Sequence, residues 1–115
     1  MPTVTIGTTS TVITTIQSGY SERIGIQLEN NSGGAALNAL TIEARVSESG
    51  EWIQIASGDT TTAGFAGVVS DVNLSTLAAG SNGLLLLDGG YFQQIRLSAT
   101  VASGTTTLTY YEWAS

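Results

Sequence analysis

The sequence predicts an all-β fold: one antiparallel β-sandwich, of the jelly-roll kind, built from about eight short strands. Three observations lead there. Apolar and polar residues alternate with period 2 along most of the chain, the pattern of strands buried on one face. Clusters of Gly, Asn, Ser and Asp break this alternation at intervals of roughly 8–15 residues. The 115 residues suit a single domain of ordinary size, and no repeat, linker or charge run divides them.

The strands follow in order. Thr3–Ile6 and Thr11–Gln17 are rich in threonine and isoleucine, which favour pleated structure over helix. This N-terminal segment, residues 1–17, reads as a first strand pair or as an extended arm that exchanges with a neighbouring chain. In Glu22–Glu29, Ile24, Ile26 and Leu28 alternate with polar residues and glycine. Asn30-Asn31-Ser32-Gly33-Gly34 is a loop. Leu40, Ile42, Ala44 and Val46 are expected on one face of the next strand, opposite Thr41, Glu43, Arg45 and Ser47. Glu48-Ser49-Gly50 turns the chain into Trp52–Ile55, the partner strand of a hairpin.

Asp59 to Gly67 reads as an exposed loop. Asp71–Leu77 is expected as a strand, with a short helix capped by Ser70 or Asp71 as the competing reading. Ala78 to Gly83 turns into the apolar run Leu84–Leu87, and Asp88-Gly89-Gly90 turns again. Phe92–Val101 sets Ile95, Leu97, Ala99 and Val101 against Gln94, Arg96, Ser98 and Thr100. Ser103-Gly104 leads into the last strand, Thr105–Trp113.

Composition narrows the function. The chain has no histidine, cysteine or lysine. Those residues supply the usual general base, the strongest nucleophile and the Schiff-base amine. Their absence removes the Ser-His-Asp, Cys-His and Ser-Lys arrangements and the zinc sites built from Cys and His. Paired carboxylates could still hydrolyse a glycoside, but most of the acids fall on polar strand faces or in turns. Asp59, Asp71 and Asp88 lack the spaced ligand pattern of a calcium loop. The expectation is a protein that is not an enzyme, with no catalytic, cofactor or metal site.

The net charge of −6 rests on nine acids and only Arg23, Arg45 and Arg96. That balance argues against nucleic acid, whose binders displace counterions with clustered cations, and against anionic membrane surfaces. The apolar runs are far shorter than the ~20 residues of a spanning helix. Residues 1–6 lack the basic and apolar regions of a secretory signal. Only 10% of residues are charged, against about 25% in ordinary domains. The surface is therefore largely hydroxyl and amide, which suits close packing against other copies because few ions must be desolvated.

The aromatics supply candidate contacts. On the last strand, Tyr111 and Trp113 lie on the face opposite Leu108, Tyr110 and Glu112, so one set packs inward while the other meets something outside. Trp52 shares the more polar side of its strand with Gln54. Arg96 stands alone on its strand, placed to pair with a carboxylate across the sheet or to anchor a subunit contact. With Val4, Ile6 and Ile13 of the N-terminal segment, these residues form the expected interface.

The order of segments in the C-terminal half resembles a family. Leu74-Ser75-Thr76-Leu77-Ala78-Ala79-Gly80, Leu84–Leu87, Asp88-Gly89-Gly90-Tyr91-Phe92, Ile95-Arg96-Leu97-Ser98-Ala99-Thr100-Val101 and Gly104-Thr105-Thr106 are similar to segments of the small jelly-roll capsid-stabilising, or cement, proteins of tailed bacteriophages. The Ile42–Val46, Ser49-Gly50, Trp52–Ile55 hairpin fits the same pattern. The chain departs from it at Gln93-Gln94, where the family more often places apolar or basic residues. The resemblance covers about half the chain. It implies a homotrimer on the outside of a virion, bound to the major capsid protein and without enzymatic activity. The second reading is a carbohydrate- or receptor-binding module of a phage tail appendage or a secreted enzyme, using exposed aromatics as sugar platforms.

Overall fold

A computed structural model describes residues 2–17, 19–58, 69–70, 73–87 and 90–115. Among these, nine strands and one 3-10 turn follow the chain: β1 (Thr3–Ile6), β2 (Thr11–Ile16), β3 (Ile24–Asn30), β4 (Leu37–Arg45), β5 (Ile53–Ser57), β6 (Val69–Ser70), the turn Leu74–Thr76, β7 (Asn82–Leu87), β8 (Gln94–Val101) and β9 (Thr106–Ala114). They form a five-stranded sheet, β1-β9-β3-β7-β6, and a four-stranded sheet, β2-β8-β4-β5. Every pairing is antiparallel.

The pairing is nested. Leaving aside the two-residue β6, the first strand pairs with the last, the second with the next to last, and β3 with β7, while β4 pairs with its successor β5. A long hairpin rolled up in this way also brings β3 beside β9 and β4 beside β8. That arrangement is the jelly roll expected from the sequence.

The core lies between the sheets, and alternation fills it. Ile24, Ile26 and Leu28 enter from β3, Leu85 and Leu87 from β7, and Leu108 from β9. Leu40, Ile42 and Ala44 of β4 meet them, with Ile95, Leu97, Ala99 and Val101 of β8. Each large side chain buried here contributes on the order of 1.5–3 kcal/mol. Near the open end, Thr14 of β2 donates a hydrogen bond to Glu112 Oε2 of β9 at 2.8 Å and ties one sheet to the other.

Three expectations are corrected. Val46 does not continue the inward row of β4: the strand ends at Arg45, and Val46 is 61% exposed at the start of a turn closed by Gly50 N–H donating to the Ser47 carbonyl. The returning strand begins at Ile53 rather than Trp52, and its aliphatic side does not face inward as a row. A register shift between Ile42 and Glu43 bulges the ladder at Ile55: Ala56, opposite Ile42, is buried, while Ile53, opposite Ala44, stays largely exposed at the start of this edge strand.

The third correction concerns Leu74–Thr76, which is a 3-10 turn and not part of a strand. Its cap is Asn73, whose side-chain oxygen accepts from Ser75 N–H, in place of Ser70 or Asp71. The turn drops Leu74 and Leu77 into the core beneath β4, and Leu77 accepts a hydrogen bond from Leu37 N–H. β1 and β2 pair with β9 and β8 of the same chain. The Asp59–Gly67 loop, the residues Asp71 and Val72, and Asp88-Gly89 lie outside the described residues.

Candidate functional site

The outer face of the five-stranded sheet carries an apolar patch where water should favour polar groups. Its origin is the period of the strands. Leu84 to Leu87 form a continuous run on β7, so two of the four must point away from the core. Leu85 and Leu87 are buried, whereas Leu84 and Leu86 are 38% and 47% exposed. On β9, Leu108 is buried and Tyr110 packs against the core, leaving Tyr111 and Trp113 outside at 38% and 58% exposure.

Register places these side chains beside one another. Gly25 of β3 stands between Leu86 of β7 and Trp113 of β9. In the next outward row, Gln27 stands between Leu84 and Tyr111. Neighbouring strands are about 4.8 Å apart, so Trp113 and Leu86 form two walls with no side chain between them. A Cβ added to Gly25 would meet nothing within 4 Å. The result is a furrow of about 500 Å³ floored by Gly25, walled by Trp113 and Leu86, and rimmed by Glu22 and Arg23. A smaller depression of about 210 Å³ continues past Tyr111 and Leu84. The furrow can take an apolar side chain or a flat ring.

The outer face of the four-stranded sheet is different in kind. Arg96 of β8 lies across from Glu43 of β4, and its Nε donates to Glu43 Oε1 at 2.8 Å. Arg45 of β4 lies across from Gln94. Its Nε donates to Gln94 Oε1 at 2.5 Å, and Gln94 Nε2 donates in turn to Gln17 Oε1 at 2.8 Å. Both arginines reach the half-buried ring of Trp52, with guanidinium carbons 4.4 and 4.5 Å from its centroid. Stacked in this way, a guanidinium keeps its N–H groups in plane and available at its edge.

The expected interface residues therefore separate into three groups. Tyr111 and Trp113 share the apolar furrow face. Trp52 and Arg96 join on the opposite sheet, where the pairing expected of Arg96 with a cross-strand carboxylate is present. Val4, Ile6 and Ile13 belong to neither: Ile6 and Ile13 are buried in the chain's own core, and half-buried Val4 packs against it. In this conformation those two isoleucines are not available to a partner, because β1 and β2 fold inward onto their own sheets.

Leu84, Leu86, Gly25 and Arg45 are the residues that sequence reading did not single out. The first two were accessible to it, since an unbroken leucine run in a strand must expose alternate members. Asp59, Asp71 and Asp88, the acids weighed for calcium, lie outside the described residues.

No protein-family model matches this chain, and no curated protein is similar to it in sequence. The fold is similar to that of the SPBc2 prophage-derived protein YomS, whose crystal structure matches with a TM-score of 0.58 and 10% sequence identity. The match covers 98% of this chain and 93% of that one, so the two share the whole sandwich.

Proposed function

We propose that this chain is a bacteriophage virion structural protein, a cement or decoration subunit that assembles as a homotrimer and stabilises the capsid by binding the major capsid protein. The observation that carries the reading is the furrow face, where Leu84, Leu86, Tyr111 and Trp113 lie together on the solvent side of an otherwise well-packed sandwich. Aromatic residues are enriched and charges depleted at the centres of protein interfaces, and this face has that composition. The low charge of the chain and the phage origin of a protein with the same fold support the reading.

The role needs no chemistry. It requires a rigid body with surfaces complementary to its neighbours, and a jelly roll whose edge strands are short supplies one. A contact of standard size buries about 800 Å² on each partner, more than four side chains provide. The polar residues around the furrow would then form the rim.

Phage particles assembled without this protein should lose their DNA at lower temperature, or under milder osmotic shock, than complete particles. Equal resistance of the two would sink the cement reading. A second reading rests on Trp113, whose exposed ring beside an open furrow is also the geometry of a sugar platform. A monomer in solution whose glycan binding disappears in Trp113→Ala would favour that carbohydrate- or receptor-binding module.

A further inference from the structure

We propose that the outer face of the four-stranded sheet holds a carboxylate-binding site formed by Arg45, Arg96 and Trp52, and that its ligand is an acidic segment of a partner protein. The proposal concerns the sheet opposite the furrow and does not depend on the virion reading.

The first argument is the distribution of charge. The chain has three cations against nine acids, and two of the three are brought to one indole ring. Two guanidinium groups on a single ring lie within about 10 Å of each other, the screening length at 0.1 M salt, so they repel. A fold that needed only a ring covered could have used one of them. Among the described residues, Glu43 is the only carboxylate that forms an ion pair with either arginine. Arg45 is held by the uncharged Gln94 and, at 3.4 Å, by the Gly50 carbonyl. The cluster therefore keeps one uncompensated positive charge on a molecule of net charge −6.

The second argument is the hydrogen-bonding geometry. Glu43 takes Arg96 through Nε alone, which leaves the terminal amino edge of that guanidinium without a hydrogen-bond partner among the described residues. Arg45 is engaged through Nε and Nη1, and its Nη2 is in the same condition. The chain of bonds from Gln17 through Gln94 fixes Arg45, and the ring of Trp52 holds both planes. The amino edge of Arg96 is a preorganised fork and Arg45 Nη2 a further donor, and a carboxylate is the group whose two oxygens match such donors.

The third argument selects among anions. One net positive charge matches the single charge of a carboxylate. Phosphate brings close to two, and a nucleic acid or an anionic membrane would meet the repulsion of the whole molecule. Carboxylates presented on a flexible polypeptide can be placed singly on the site while the rest of the partner stays clear.

The test uses the composition of the chain. With three arginines, no lysine and two tryptophans, a nitrogen-15 NMR spectrum of the whole protein shows three arginine Nε–H signals and two indole N–H signals. Titration with an acetylated, amidated tetraglutamate peptide should move the signals of Arg45, Arg96 and Trp52 saturably, while those of Arg23 and Trp113 stay fixed. Arg45→Gln breaks no ion pair, and its fold can be checked by unchanged Arg23 and Trp113 signals. It should weaken binding about tenfold, as expected for one lost charge-assisted contact, and Arg45→Lys should recover part of the loss. The proposal is overturned if the three signals stay fixed up to millimolar peptide, if all three arginines move together, or if inorganic phosphate gives the same response.

Discussion

The side-chain oxygen of Asn30 accepts a hydrogen bond from the hydroxyl of Thr106, and both residues are buried. The amide nitrogen of the same asparagine donates to the carbonyls of Ala35 and Leu77, each at 3.0 Å. One side chain at the end of β3 thus joins the start of β9, the loop after β3 and the segment that follows the 3-10 turn. Asn30→Ala would leave the Thr106 hydroxyl and the Ala35 carbonyl unsatisfied. It should cost about 2–3 kcal/mol, read from urea denaturation curves.

The two glycines of that loop should behave differently. A Cβ on Gly34 would lie 2.6 Å from Thr106 Cβ and 2.7 Å from Asn31 Oδ1, whereas a Cβ on Gly33 would meet nothing. Gly34→Ala must push Thr106 away from Asn30, at a cost of roughly 1–3 kcal/mol for overpacking. Gly33→Ala should change stability by less than about 0.5 kcal/mol. Thermal melts of the two variants side by side check this, and equal melting temperatures would contradict it.

Leu86→Ser and Trp113→Ser alter the furrow without touching the core. Each should leave the unfolding free energy within about 0.5 kcal/mol of the parent while shifting the solution mass of the protein toward the monomer. Light scattering after size-exclusion chromatography measures the second quantity, and denaturation the first. A large loss of stability in the monomeric fraction would mean that these side chains support the sheet itself.

The Arg96–Glu43 pair is partly exposed, at 29% and 23% of the two side chains, so its contribution to stability should be small. Glu43→Gln is expected to cost less than about 1 kcal/mol at low salt. The difference should shrink in 1 M sodium chloride, where the screening length falls to about 3 Å. Denaturation at both salt concentrations tests the expectation.

Strand alternation was legible where the chain is regular. Ile24, Ile26 and Leu28, the four apolar residues of β8, and the outward placing of Tyr111 and Trp113 all follow from period 2. It failed where one residue breaks the ladder. The bulge opposite Ile42 and Glu43 puts Ile53 and Ala56 on one face, opposite Ala44 and Ile42, and nothing in Ile53-Gln54-Ile55 signals it. The 3-10 turn was missed because Leu74 and Leu77 suit either conformation, and the Asn73 cap is decided only once Gly58 accepts from Leu74 N–H. Arg45 and Arg96 lie on two strands and Trp52 just before a third, so their meeting depends on register, which no single segment contains.

The nested pairing has a consequence for synthesis. β3 is made early, yet both of its neighbours, β7 and β9, come late, and Ile24 pairs with Leu87 and Ala114. A chain leaving the ribosome at about 5–20 residues per second therefore holds an unpaired isoleucine-rich strand for several seconds. The β4–β5 hairpin can form early, but neither sheet can be completed during that interval, because β8 and β9 are made after the strands they join. β3 must stay shielded until residues 106–114 emerge, so a chaperone that holds nascent strands should raise the yield of folded protein.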